Sequence, residues 1–277
     1  MKGFVLEDLE QSRIGIFDSG IGGLTVMRAV IKRMPHENIV YFGDTARVPY
    51  GCKSSKTVER YSIENTIFLM EQNIKVLVVA CNTASAFAVD KLRRIFNVPI
   101  VDVVEPSVQR AIEKTKNGRI AVLGTKATIK SGIYQQLIHK TSSKLEVFSV
   151  SCPLFVPLVE EGLTNHPITE LAIKEYLLPL LEKKVDTVIL GCTHYPLLGE
   201  AISKTLGKAV KVIDSASCCA EEIERVLELR GTKMKYRSTS SHGYFVSDDP
   251  EKFRKHGEIF LGHAIENVVA TNNTCFL

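Results

Sequence analysis

The sequence predicts an α/β protein of two similar three-layer domains with mainly parallel sheets, related by a pseudo-two-fold axis, with a site in the cleft between them. Three observations point there. Short β-branched runs alternate with longer stretches of helical periodicity, the signature of βαβ units. The run VLVVA at 76–80 is continuously apolar, as a strand covered on both faces must be. The order of elements also repeats. A shift of 111 residues places Leu77-Val78-Val79 on Val188-Ile189-Leu190, Ala80 on Gly191 and Cys81 on Cys192. A period of this size is far too long for a solenoid repeat and reads as a duplicated domain.

In chain order, IGIFD at 14–18 is a strand and 24–34 a helix, with Val26, Ala29, Val30 and Met34 on its apolar face. A strand at 39–42 leads into a Gly/Pro-punctuated loop at 43–51, then a helix over about 56–72. Strand 76–80, helix 83–96 and strand 98–104 complete the first half. The second half repeats the order. RIAVLGT at 119–125 matches RIGIFDSG at 13–20, LEVFSV at 145–150 matches NIVYFG at 38–43, and VKVID at 210–214 falls near VPIVD at 98–102. The chain from about 216 exceeds the second repeat. It holds a helix (220–229), a strand-like Tyr244-Phe245-Val246 and a helix (250–261). The expected division is 1–104 together with a returning 216–277, and 105–215 as the second domain.

Composition narrows the function. With 45% hydrophobic and 24% charged residues, the chain belongs with globular proteins and not with disordered or fibrous ones. No apolar run approaches the roughly 18 residues of a membrane span. A net charge of +4 is too small to argue for a nucleic-acid partner. The start, MKGFVLEDLEQS, lacks an apolar h-region and carries acids, so it does not read as a secretory signal. Seven cysteines, an odd number without CxxC or metal-ligand spacing, fit a reduced, cytoplasmic setting in which thiols react or pack.

Two of those thiols stand apart. Ligands of open α/β sheets bind beyond the carboxyl ends of the strands, where Cys81 and Cys192 both fall. Each follows a small residue and precedes a polar pair, Asn82-Thr83 and Thr193-His194, where a helix is expected to begin. Backbone N–H groups at a helix start hold carboxylates and favour a thiolate. If the domains face each other, the duplication puts one thiol on each side of a cleft. One thiolate then removes a proton from a stereocentre and the opposite thiol returns one to the other face. That is racemisation without a cofactor. Cys52, Cys152, Cys218, Cys219 and Cys275 are expected only to pack, Cys52 least clearly because it lies in a loop. A Cys192/His194 hydrolase is a rival with weak support, because nucleophile and base usually come from separate elements. A metal site at the same pair lacks further ligands.

The turn DSGIGG at 18–23 is not GxGxxG and has no P-loop lysine, which leaves a nucleotide reading weak. Asp18 reads as a helix cap, or as an acid that tunes a thiol or binds an amine. The loop FGDTARVPYG reads as a turn cluster, or as a cover in which Tyr50 and Gly51 offer a hydroxyl and a backbone N–H. Glu160 and Glu161 read as exposed acids of a helix face.

The segments IGIFDSGIGGLTV, VYFGDTARVPYG, VVACNTASA, VLGTKATIKSGIY, CPLFVPLVEEG and LGCTHYPLL, in this order over about residues 13–215, resemble the glutamate racemases of the aspartate/glutamate racemase family. The resemblance implies cofactor-independent interconversion of L- and D-glutamate that supplies peptidoglycan synthesis. It implies Cys81 and Cys192 as the acid/base thiols, Asp18 beside the first, and Glu160 and His194 near the second. Asp18-Ser19, Tyr50-Gly51, Asn82-Thr83 and Thr193-His194 match substrate-binding pairs. It further implies a small-molecule substrate, no metal, no nucleic-acid or membrane partner, and a homodimer. A related two-Cys aspartate racemase-like enzyme, and an amino-acid-binding protein of the same fold without turnover, are the alternatives.

Overall fold

The computed structural model describes residues 12–236 and 240–271; Cys275 lies outside them. From the amino end, β1 (Arg13–Asp18), α1 (Leu24–Arg33), β2 (Ile39–Gly43), α2 (Ser55–Met70), β3 (Ile74–Val79), α3 (Asn82–Ile95) and β4 (Ile100–Asp102) make the first half. Helix α4 (Val104–Lys114) crosses to the second. There β5 (Arg119–Gly124), α5 (Lys126–Ser131), α6 (Ile133–Thr141), β6 (Glu146–Ser151), α7 (Phe155–Glu160), α8 (Pro167–Glu182), β7 (Thr187–Gly191), α9 (Gly199–Leu206) and β8 (Lys211–Asp214) follow. The chain closes with α10 (Ser215–Leu229), β9 (His242–Val246), α11 (Pro250–Leu261) and β10 (Val268–Ala270).

The strands form two sheets, parallel throughout, in two α/β domains. The first runs β10-β9-β2-β1-β3-β4 and the second β6-β5-β7-β8. Without β9 and β10 the two orders coincide, each half contributing its second, first, third and fourth strand. The sequence repeat is therefore a repeat of topology. Parallel neighbours require crossover helices, which cover both faces. Accordingly every residue of β2 and all but the first of β1 are buried. Burying each large aliphatic side chain of such a strand contributes about 1.5–3 kcal/mol. Strand β9 pairs with β2, Tyr41 opposite Tyr244, and α10 and α11 pack on α1.

Four local expectations change. Strand β4 is shorter than 98–104, because Asp102 turns its carboxylate back to accept from Val104 N (2.7 Å) and Glu105 N (3.0 Å) and so starts α4. The helix expected at 220–229 begins at Ser215, capped by Asp214, which accepts from Ala216 N and Ser217 N. The two thiols do not precede the same structure. Helix α3 starts directly at Asn82, whereas a 3-10 turn, Tyr195–Leu198, intervenes between Cys192 and α9. Cys52 does not pack; it is exposed. Among the described residues no helix is long and apolar enough to cross a membrane.

Candidate active site

Strands β3 and β7 hold equivalent places in their sheets, and the chain leaving each carries a thiol. Cys81 is the N-cap residue of α3, where a side chain meets the free N–H groups of the first turn. Its S–H points at Ser19 Oγ, 3.6 Å away. Burial pushes this thiol up to about 12, the Asp18 carboxylate adding to the shift and the Ala84 N–H opposing it. Asp18 is fully buried; Oδ2 accepts from Gly20 N at 2.9 Å while Oδ1 has no protein partner. Burial raises the Asp18 carboxyl, against the attraction of His194.

Cys192 Sγ lies 3.9 Å from His194 Nδ1, and His194 Nε2 lies 2.9 Å from Glu160 Oε1. Burial would lower the His194 imidazolium, but the hydrogen bonds to Cys192 and Glu160 outweigh it and hold the ring at about 10. Burial would likewise raise Glu160. Its bond to His194 and the nearby Lys252 and His256 of α11 overcome that and keep the carboxyl below its ordinary value. Phe260 of α11 meets the His194 ring edge-on, with centroids 5.1 Å apart. Of the two adjacent acids, Glu160 turns inward and Glu161 is exposed.

Both thiols open into one cavity of about 340 Å³. Ser19, Tyr50, Gly51, Asn82, Thr193, His194 and Glu160 line it too. Two expected residues stand back from it. Asp18 lies behind Cys81, and the Thr83 hydroxyl meets those of Thr125 (3.1 Å) and Thr128 (3.0 Å) across the domain boundary. Tyr50 is present without its hydroxyl on offer, because that group donates to Asp44 and accepts from Asn65 Nδ2 at 3.1 Å. Its ring and backbone remain at the wall.

Sequence reasoning missed several contributors. Thr125, Lys126 and Cys152 also line the cavity, and Cys152 is fully buried, its thiol raised by burial and by Cys192. The glycine-rich turn holds the second thiol's loop: a Cβ on Gly22 would overlap Thr193 Oγ1 and lie 2.5 Å from His194 Nδ1. Thr25 Oγ1 donates to Thr193 O at 2.9 Å. The glycine is thus required by close approach of the halves, and the one advance signal was the cluster of glycines itself. Among the described residues no three His, Cys, Asp or Glu side chains are grouped to hold a metal ion.

A family model described as Asp/Glu/Hydantoin racemase matches residues 22–223. The chain belongs to this family. A glutamate racemase of Geobacter metallireducens is 49% identical over 258 residues, covering 92% of this chain and 94% of that one. The crystal structure of a glutamate racemase from Bacillus anthracis superposes with a TM-score of 0.91 at 38% identity, covering 95% of this chain and 98% of its own. A second, from Francisella tularensis in complex with D-glutamate, gives 0.90 at 36% identity, covering 96% and 100%. These two glutamate racemases thus share this chain's two-sheet fold across nearly its whole length.

Proposed function

We propose that this protein racemises glutamate without a cofactor, Cys81 and Cys192 exchanging the Cα proton from opposite faces. The observation that carries the reading is the single cavity onto which two thiols from equivalent strand ends open. In one direction a Cys thiolate takes the Cα proton, the electron pair spreads into the α-carboxylate, and the opposite thiol delivers its proton to the other face. The thiols end the turnover with their protonation exchanged, and the reverse reaction restores it. Burial keeps Cys81 protonated in the free protein; a substrate ammonium arriving beside it favours the thiolate. His194, held protonated by Glu160, stabilises the thiolate that Cys192 becomes on giving up its proton.

Binding follows the same geometry. The free N–H groups at the start of α3 suit a carboxylate, with Asn82 and Thr83 in the first turn. Ser19, the Tyr50-Gly51 backbone and Thr193 supply further polar contacts at the wall, and Asp18 acts from behind Cys81. In this proposal the described residues up to 104 and from 216 on belong to the domain that carries Cys81, and 105–215 to the domain that carries Cys192. The product D-glutamate supplies peptidoglycan synthesis in the cytoplasm, and the assembly is a homodimer, checked by sedimentation.

Circular dichroism of D- and of L-glutamate, incubated separately without added cofactor, tests the activity. Both signals are expected to decay to zero, with solvent deuterium entering Cα. Constant signals with glutamate overturn the reading. Decay with aspartate instead selects the aspartate racemase-like alternative, and an acyl-enzyme trapped by hydroxylamine selects a hydrolase.

A further inference from the structure

Tyr134 ends the segment VLGTKATIKSGIY, on α6, in the half of the chain that carries Cys192. Its hydroxyl nevertheless accepts a hydrogen bond of 2.9 Å from Nδ2 of Asn82, in the half that carries Cys81. Both residues are only 3% exposed. The ring of Tyr134 also packs under the end of β7, where a Cβ on Gly191 would touch its Cε2 and hydroxyl at 3.4 Å. One side chain thus contacts the residue after one thiol and the residue before the other.

The surrounding hydroxyls favour this direction of the bond. The Tyr134 hydroxyl also faces Ser215 and Ser107. Ser215 Oγ donates to Leu190 O at 2.8 Å, and Ser107 Oγ donates to Val103 O. With both serine protons committed, their oxygens are left as acceptors for the phenol proton. The phenol lone pair then takes Nδ2–H of Asn82, and flipping the amide would draw the phenol proton away from the serines to meet the carbonyl. Its other end, Oδ1, is buried and has no protein partner, while Asn82 lines the cavity with both thiols. A buried acceptor left unmet is unfavourable, and one at a cavity wall is met by the ligand. Its oxygen repels a carboxylate and suits an N–H donor, and the only such donor of a free amino acid is its ammonium.

We propose that Tyr134 is a positioning residue that locks the Asn82 amide with Oδ1 turned to the cavity as the acceptor for the substrate ammonium. The inference rests on the amino-acid racemase reading and deepens it. Tyr134→Phe keeps the ring and removes only the oxygen. In that variant KM for glutamate is expected to rise about 10-fold in both directions with kcat within about 3-fold. Inhibition by glutarate, which is glutamate without its ammonium, is expected to stay unchanged. In an Asn82→Ala background the tyrosine substitution should add nothing, because its effect passes through that amide. Equal weakening of glutamate and glutarate, an unchanged KM, or additive losses in the double variant overturn the proposal. Should Tyr134→Phe not fold, Asn82→Ala alone makes the same glutamate-against-glutarate comparison, with equal weakening again decisive against it. A wild type that turns over neither enantiomer fails the racemase reading itself, and this inference with it, before any variant is compared.

Discussion

Cys81 and Cys192 leave equivalent strands of equivalent sheets, but their surroundings share little beyond the backbone. Cys81 caps a 14-residue helix, with Ser19 beside it and the buried carboxylate of Asp18 behind. Cys192 precedes a 3-10 turn and faces an imidazole that is itself held by Glu160, with Lys252 and His256 beyond. Duplication supplied two strand ends; the proton-handling groups around them differ. For a racemase this asymmetry has a strict limit. The two enantiomers have equal free energy in water, so kcat/KM must be equal in both directions. Unequal flanks can redistribute resistance between kcat and KM, and can set which thiol rests protonated, but they cannot favour a product.

The largest break in the comparison comes from removing either thiol. Cys81→Ser and Cys192→Ser are each expected to lower racemisation by about 10³-fold. Each should still exchange the Cα proton of one enantiomer in D2O, followed by proton NMR, and the two variants should exchange opposite enantiomers. Exchange of the same enantiomer by both would show that the thiols do not address opposite faces. Next in size is Gly22→Ala, which forces the Cys192 loop off the first domain. A displacement of about 1 Å there is expected to lower kcat/KM by about 10²-fold. Gly20→Ala, whose Cβ would meet only Val48 at 3.6 Å, serves as the control and should retain near-native activity.

Glu160→Gln addresses the Cys192 flank alone, with an expected loss of about 10-fold in kcat. Losing this partner lowers His194 from about 10, so the alkaline limb of the pH profile should move to lower pH. The same pair affects stability. The folded-state pKa of His194 is raised, so its contribution is fully present below the ordinary 6.5 and is lost as pH rises through about 10. Urea midpoints of the native protein and Glu160→Gln should therefore differ at pH 6.5 and converge above pH 10. The smallest effect concerns the other flank. Asp18 raises Cys81, so Asp18→Asn should shift the alkylation midpoint of Cys81 downward from about 12, part of the way only because burial is the larger cause. An upward shift would contradict the placement of that carboxylate.

What the sequence disclosed follows from periodicity and repetition. Strands β1, β2, β3, β5 and β7 were legible because strands buried on both faces must be apolar, β6 through its match to β2, and the two thiols because they recur at one offset. The partners around the thiols were not legible from local pattern; only the resemblance assigned Asp18, Glu160 and His194 to them. His194 and Glu160 meet across 34 residues, Thr25 and Thr193 across 168, and nothing local in either segment encodes such a meeting. Tyr50 shows the opposite error. A loop tyrosine suggests an available hydroxyl, yet Asp44 and Asn65 draw it inward, which depends on where α2 packs. The 3-10 turn after Cys192 escaped notice because its four residues carry no helical period.

The placement of β9 beside β2 bears on how the chain is made. The second sheet is contiguous in sequence and complete once β8 has left the ribosome. The first sheet is not, because β2 keeps an open edge until residues 242–246 arrive, after the whole second sheet has been made. An unpaired edge flanked by the buried Ile39–Gly43 run is a template for pairing with another chain. The domain begun first is thus finished last. The nascent protein makes its whole second sheet with this apolar edge uncovered, a vulnerability that a chaperone able to shield extended apolar strands would relieve.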